Sequence, residues 1–160
     1  MNVYDLSCKS EGMSILSIAT SGLSAASLRL DVTASNIANA LTTGPLPAAS
    51  GSGNAGGADN PNNASNFQAY VPLQVSQIDQ ADGSTPAGTA AVVSTVTPAF
   101  VPQFDPDSPF ANQDGLVAAP NVDLASQFVQ LLTAKYSFAA NAKVIQTYAD
   151  TQKSLLDITA

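Results

Sequence analysis

The chain has no histidine, no tryptophan and one cysteine. Without histidine it lacks the commonest metal ligand and general base. A single thiol, Cys8, excludes an internal disulfide and a cysteine-based metal cluster. Most catalytic triads and metal sites are removed at once. Basic residues number five against twelve acidic ones, for a net charge of −7. Nucleic-acid binding needs a basic stripe, and adhesion to anionic lipid needs basic clusters; neither is present. Charged residues make up 11% of the chain, against roughly 25% in an ordinary domain. The hydrophobic share is 45%, but much of it is alanine, with six phenylalanines and four tyrosines. Large core-forming side chains are scarce, so a thick self-contained core is not expected. No apolar run approaches the ~20 residues of a membrane span, and direct membrane insertion is not expected. No basic segment followed by an apolar one marks a cleavable signal at the N-terminus.

What is present is helical patterning at both ends. Residues 1–13 ("MNVYDLSCKSEGM") precede it and read as a disordered extension, or Met13 is the start. From 14 to 42, Leu16, Leu23, Leu30 and Ile37 recur every seven residues, with Ala19, Ala26, Thr33 and Ala40 between them. This 3,4 spacing is the seam of a coiled coil or helical bundle. The other face is nearly uncharged: between Ile15 and Leu41 the only charges are Arg29 and Asp31. A helix standing in water normally carries many charges there. Burial against copies of the same chain or close relatives accounts for their scarcity.

Residues 43–66 hold a glycine-, asparagine- and proline-rich stretch, read as a flexible loop. Its GxGxxG match (Gly51, Gly53, Gly56) is accidental, since no strand precedes it and no helix follows. Residues 67–121 read as a small β-hairpin with loops. Pro72 and Pro98 point to edge strands, and one hairpin needs something to pack on. The segment 104–123 carries Asp105, Asp107, Asn112 and Asp114, but Pro109 and Phe110 fall where a calcium loop needs a ligand and a glycine. Turns built on Asp-Pro and Asp-Gly fit better.

Residues 122–160 read as a second long helix, with Asn121 or Asp123 as cap. Leu124, Phe128, Leu131, Phe138, Ala142, Ile145, Ala149 and Leu156 form one stripe, and Val144, Tyr148, Leu155 and Ile158 an adjacent one. So broad an apolar face calls for partners on two sides. The expected fold is mainly α: long terminal helices paired as an antiparallel coiled coil, with the small β region between them. Asn36 and Asn39 stand out as paired amides in a charge-poor helix. An amide can hold register between packed helices without a counter-ion; alternatively the two merely weaken the helix end.

Two stretches carry a family resemblance. "SGLSAASLRLDVTASNIANALTT" resembles the N-terminal signature of the flagellar rod and hook protein family. "FDPDSPFANQDGLVAAPNVDLASQFVQLLTAKYSFAANAKVIQT" resembles the C-terminal signature of its proximal-rod branch, with Asp105–Pro109, Asp114-Gly115, Pro120–Asp123 and Ala140-Asn141 in that branch's order. Leu41, where the family usually has another asparagine, and Lys135-Tyr136, in place of an arginine-aromatic pattern, depart from it.

The resemblance implies a non-enzymatic axial subunit that takes no cofactor. Such a subunit leaves through the flagellar type III export apparatus without a cleaved signal. It polymerises in the periplasm into the hollow shaft that transmits torque from motor to hook. Implied partners are copies of itself, other rod proteins, the rod–MS-ring adaptor and the surrounding P and L rings. The expected assembly interface comprises Leu16, Leu23, Leu30, Asn36, Ile37, Asn39, Asn121, Asp123, Phe128, Leu131, Phe138, Asn141, Ile145 and Leu156. A distal-rod or hook-type subunit, and a soluble coiled-coil binding module linked to secretion, are the alternatives.

Overall fold

The computed structural model of the chain describes residues 3–47, 69–82 and 85–159. Two helices of equal length dominate it, α1 (Val3–Ala38) and α2 (Leu124–Thr159), each of 36 residues. Four strands lie between them in sequence: β1 (Leu73–Asp82), β2 (Thr85–Thr95), β3 (Phe100–Phe104) and β4 (Leu116–Pro120). β1 pairs with β2 and β3 with β4, giving two separate two-stranded sheets. The fold is mainly helical with two small sheets, rather than two helices and one hairpin.

Three boundaries differ from expectation. α1 is already helical at Val3, where a disordered extension over residues 1–13 is expected. That stretch has no proline, and its one glycine costs only about 1 kcal/mol in a helix interior. Adding residues to an existing helix is far easier than nucleating one. At its other end α1 stops at Ala38, short of residue 42. The Asn39 side chain folds back to donate to the Ser35 carbonyl (2.9 Å). Three-residue steps follow, from Ala40 N to Ile37 O and from Thr42 N to Asn39 O. A side chain that competes for the helix carbonyls favours this unwinding. The third difference is β4: "LVAAP" is a buried strand inside the segment expected to be loop. It shows no alternation because both its faces are largely covered, so its five-residue apolar run carries no strand period. Of the loop expected over residues 43–66, residues 48–66 lie outside the described residues.

The described chain divides into two compact units. One holds Ser35–Leu73 and Thr95–Leu124. Its sheet pairs β3 and β4 antiparallel, Phe100 opposite Pro120 through to Phe104 opposite Leu116. Val117 and Ala118 are wholly buried. The turn linking the strands is organised by Asn112, whose Oδ1 accepts from Asp114 N and Leu116 N, both at 2.9 Å. Gly115 takes a positive φ of 73° there, as the Asp-Gly turn requires. Gly44 exchanges two backbone hydrogen bonds with Ala118 (3.0 and 2.8 Å). A Cβ on Gly44 would stand 2.5 Å from the backbone nitrogen of Ala69, so only glycine fits.

The other unit holds α1 to Ala34, residues 74–94 and α2 from Ala125. Its buried side chains are small: Ala19, Ala25, Ala26, Thr33 and Ala134, with Val32 the largest. The β1–β2 hairpin lies on α1. Ser21 Oγ accepts from Thr89 N at 3.1 Å, and Gly88 lies so close that a Cβ would collide with the Ser21 hydroxyl. The expected need of the hairpin for something to pack on is met at this point.

Candidate functional site

α1 buries a different line from the one its leucines suggest. Ala19, Ala26, Thr33 and Asn36 are buried, and Gly22 and Arg29 half-buried, in steps of three and four. Leu16, Leu23, Leu30 and Ile37 flank this line and are only half-buried. Small side chains occupy the middle because they permit close approach of backbones. At Gly22 a Cβ would sit 2.8 Å from the Asn141 amide nitrogen of α2. Asn141 itself donates to the Ser137 carbonyl (2.9 Å).

Two grooves mark other places where the same elements face one another. One, of about 500 Å³, is lined by Ile15 of α1 and by Ala140, Lys143, Val144, Thr147, Tyr148 and Thr151 of α2. The second, of about 300 Å³, is lined by Arg29, by Gln74 and Val75 of β1, and by Val129, Gln130 and Thr133 of α2.

α2 exposes most of its side chains. Ala134 is its one buried side chain among the described residues. Leu124, Phe128, Val129, Leu132 and Tyr136 are all at least 40% exposed, and their spacing places them on one side of the helix. Val144, Leu155 and Ile158 form a second exposed line further on. A soluble helix usually hides such an apolar stripe, and contiguous exposed apolar surface of this kind marks an interaction site.

Of the residues expected at an assembly interface, Phe128, Phe138 and Leu156 are exposed, and Leu131, Asn141 and Ile145 are half-buried. Asp123 is exposed and stands immediately before α2. Asn121 serves its own unit: its backbone donates to Ala99 O and its side chain to Pro98 O, both at 2.9 Å.

Asn36 turns inward. It is 2% exposed, and its side chain is held by its own chain. Nδ2 donates to Leu73 O (2.7 Å), while Oδ1 accepts from Leu73 N (3.1 Å) and from the Tyr70 hydroxyl (3.0 Å). The amide mimics a strand neighbour for Leu73, pinning the returning chain to the helix. Asn39 acts locally on the helix end. The two asparagines are therefore not a matched pair, because a three-residue step leaves them on adjacent but distinct directions.

Sequence reasoning missed Val129, Leu132 and Tyr136. They lie between the two stripes it followed, and a helix apolar on nearly all sides has no single face to find.

No group of three or more histidine, cysteine or acidic side chains among the described residues could hold a metal. No described helix is long and apolar enough to cross a membrane. The exposed apolar sides of α2 define a surface suited to association with other protein. Two family models match: "Flagella basal body rod protein" over residues 16–45, and "Flagellar basal body rod FlgEFG protein C-terminal" over residues 113–158. The Gly44–Ala118 bridge ties these two segments together. The flagellar basal-body rod protein FlgC of Salmonella typhimurium is 34% identical over 139 residues, covering 84% of this chain and 88% of that protein. Its counterpart in Escherichia coli O6:H1 is 33% identical over the same length, and that of Agrobacterium fabrum 30% identical over 141 residues, 88% of this chain and 90% of that protein. The chain belongs to the FlgC family of flagellar basal-body rod proteins.

Proposed function

We propose that the chain is a structural subunit of the proximal rod, polymerising through its terminal helices into the hollow periplasmic shaft that transmits torque from motor to hook. The observation that carries this reading is the exposed apolar side of α2, Leu124 through Tyr136. In a chain of the FlgC family, neighbouring rod subunits are the natural cover for it. The helices pair antiparallel as a coiled coil. Three facing positions support this: Ile15 with residues 140–151, Gly22 with Asn141, and Arg29 with residues 129–133. Advancing along α1 retreats along α2.

The subunit reaches the periplasm unfolded, through the type III export apparatus and without a cleaved signal. A helix pair with so little large buried apolar surface suits that passage, since helices draw most of their stability from packing. Neighbours are copies of the chain, other rod proteins, the rod–MS-ring adaptor and the P and L rings. Leu16, Leu23, Leu30 and Ile37 contribute to the interface from α1, and Phe128, Leu131, Phe138, Ile145 and Leu156 from α2.

The test is cross-linking in isolated basal bodies, with Cys8 replaced by serine. Cysteines at Ile15 and Val144 should join within one subunit, and a cysteine at Phe128 should join a neighbouring subunit. Absence of the protein from basal bodies defeats the reading. Cross-linking of Ile15 to Phe128 within a subunit defeats the antiparallel arrangement alone.

A further inference from the structure

Arg29 is the chain's single arginine and, with Asp31, one of two charges between Ile15 and Leu41. It is half-buried and lines the 300 Å³ groove with Gln74, Val75, Val129, Gln130 and Thr133. It makes no hydrogen bond or ion pair to another described residue. Asp31 stands two residues away, a spacing at which helix side chains do not face each other, and is exposed. A guanidinium withdrawn from water loses hydration and regains it only from a charged, hydrogen-bonding partner. Its planar fork of donors matches a carboxylate, taken bidentately. The glutamine amides and the threonine hydroxyl in the groove can engage the same anion at its edges.

We propose that the Arg29 groove receives a carboxylate side chain from a second copy of this chain, locking adjacent subunits in register. This rests on the self-assembly proposed above. Charge complementarity selects the occupant: the chain carries twelve acidic residues against five basic ones, so a copy presents carboxylates in excess. Position selects it too. Val129 belongs both to the groove and to the exposed apolar side of α2. A subunit covering that side brings its own side chains to the groove mouth. The surrounding apolar contact excludes water, which is the setting in which a buried arginine contributes most to an interface. The apolar stripe supplies attraction along the whole helix, whereas the ion pair is directional and distinguishes one register from its neighbours.

The test uses the full-length purified chain and measures the protein concentration at which it assembles, together with the melting of the unassembled subunit. Arg29→Gln should raise the assembly concentration by about 10- to 100-fold, the scale of a hydrogen-bonded charge, with the subunit melt unchanged. Arg29→Lys should fall between, since it keeps charge and loses the fork. Arg29→Asp should not assemble. Reversing each of the twelve acidic residues to arginine in turn, in the Arg29→Asp background, should restore assembly for the residue that occupies the groove. Unaltered assembly of Arg29→Gln, or no restoration by any of the twelve, overturns the proposal. Lost swimming with unaltered self-assembly also overturns it, and transfers the groove to a different rod subunit. A wild-type chain that never assembles with itself overturns the self-assembly reading as well, and is recognised because no variant is needed to see it.

Discussion

The two compact units solve the same problem in opposite ways. The β3–β4 unit closes on itself: Val117 and Ala118 are wholly buried, Gly44 is bridged to Ala118, and Asn36 is bonded to Tyr70 and Leu73. The helical unit buries mostly alanine and leaves Phe128, Val129, Leu132, Tyr136 and Leu155 about half exposed or more. Polar groups specify the first through fixed geometry, and apolar area left unused equips the second for partners. On the proposal above, a subunit that travels unfolded and then assembles gains from this division.

The comparison breaks most visibly at α2. Phe128→Asp should lower assembly about 100-fold or more, the scale of an interface hot spot, measured by sedimentation. Export and the melting of the unassembled subunit should stay unchanged, because Phe128 is 53% exposed. A fall in subunit stability equal to the loss of assembly would place Phe128 in the subunit's own core.

The converse change belongs to the self-contained unit. Gly44→Val should cost about 1–3 kcal/mol by overpacking against Ala69. Asn36→Ala should cost a similar 1–3 kcal/mol, since it strands the Leu73 amide. Asn39→Ala should stay within about 0.5 kcal/mol, as a local surface change. Urea unfolding of the three variants checks this order, and equal effects of Asn36→Ala and Asn39→Ala would return the asparagines to a shared role.

Hydrogen exchange on the unassembled subunit sharpens the contrast further. Amides of β3 and β4 should exchange slowly and those of α2 quickly, with circular dichroism below the helix content of two complete 36-residue helices. Uniform protection, with full helicity and a cooperative melt, would remove the distinction between the units. The smallest effect is expected from deleting Pro47–Asn62: its glycine-, asparagine- and proline-rich composition offers no large apolar side chain to bury, so swimming should persist. Its loss at normal protein levels would give the segment a role of its own.

How much of this was legible in the residues follows from the kind of pattern each element carries. Two long helices were readable because a 3,4 repeat sustained over several turns has few other causes. The repeat placed Ala19, Ala26 and Thr33 in the same seam as Leu16 and Leu23 but not which of them lie deepest, because periodicity marks a face and not the depth of each part of it. The family membership was readable from the terminal stretches. β4 was hidden, since five small apolar residues have no period. The role of Asn36 was hidden too, for its partners Tyr70 and Leu73 lie 34 and 37 residues away. The sequence alone determined which side chains are scarce: there is no histidine, one cysteine, which cannot form an internal disulfide, and five basic residues against twelve acidic ones. It also determined that both ends are helical and poor in charge. Only the tertiary structure decided that Asn36 turns inward, that α1 buries its alanines more deeply than its leucines, and that Arg29 lines a groove with no carboxylate among its described lining residues. Those outcomes depend on which distant backbone atoms come within hydrogen-bonding or contact distance, and local spacing carries no record of that.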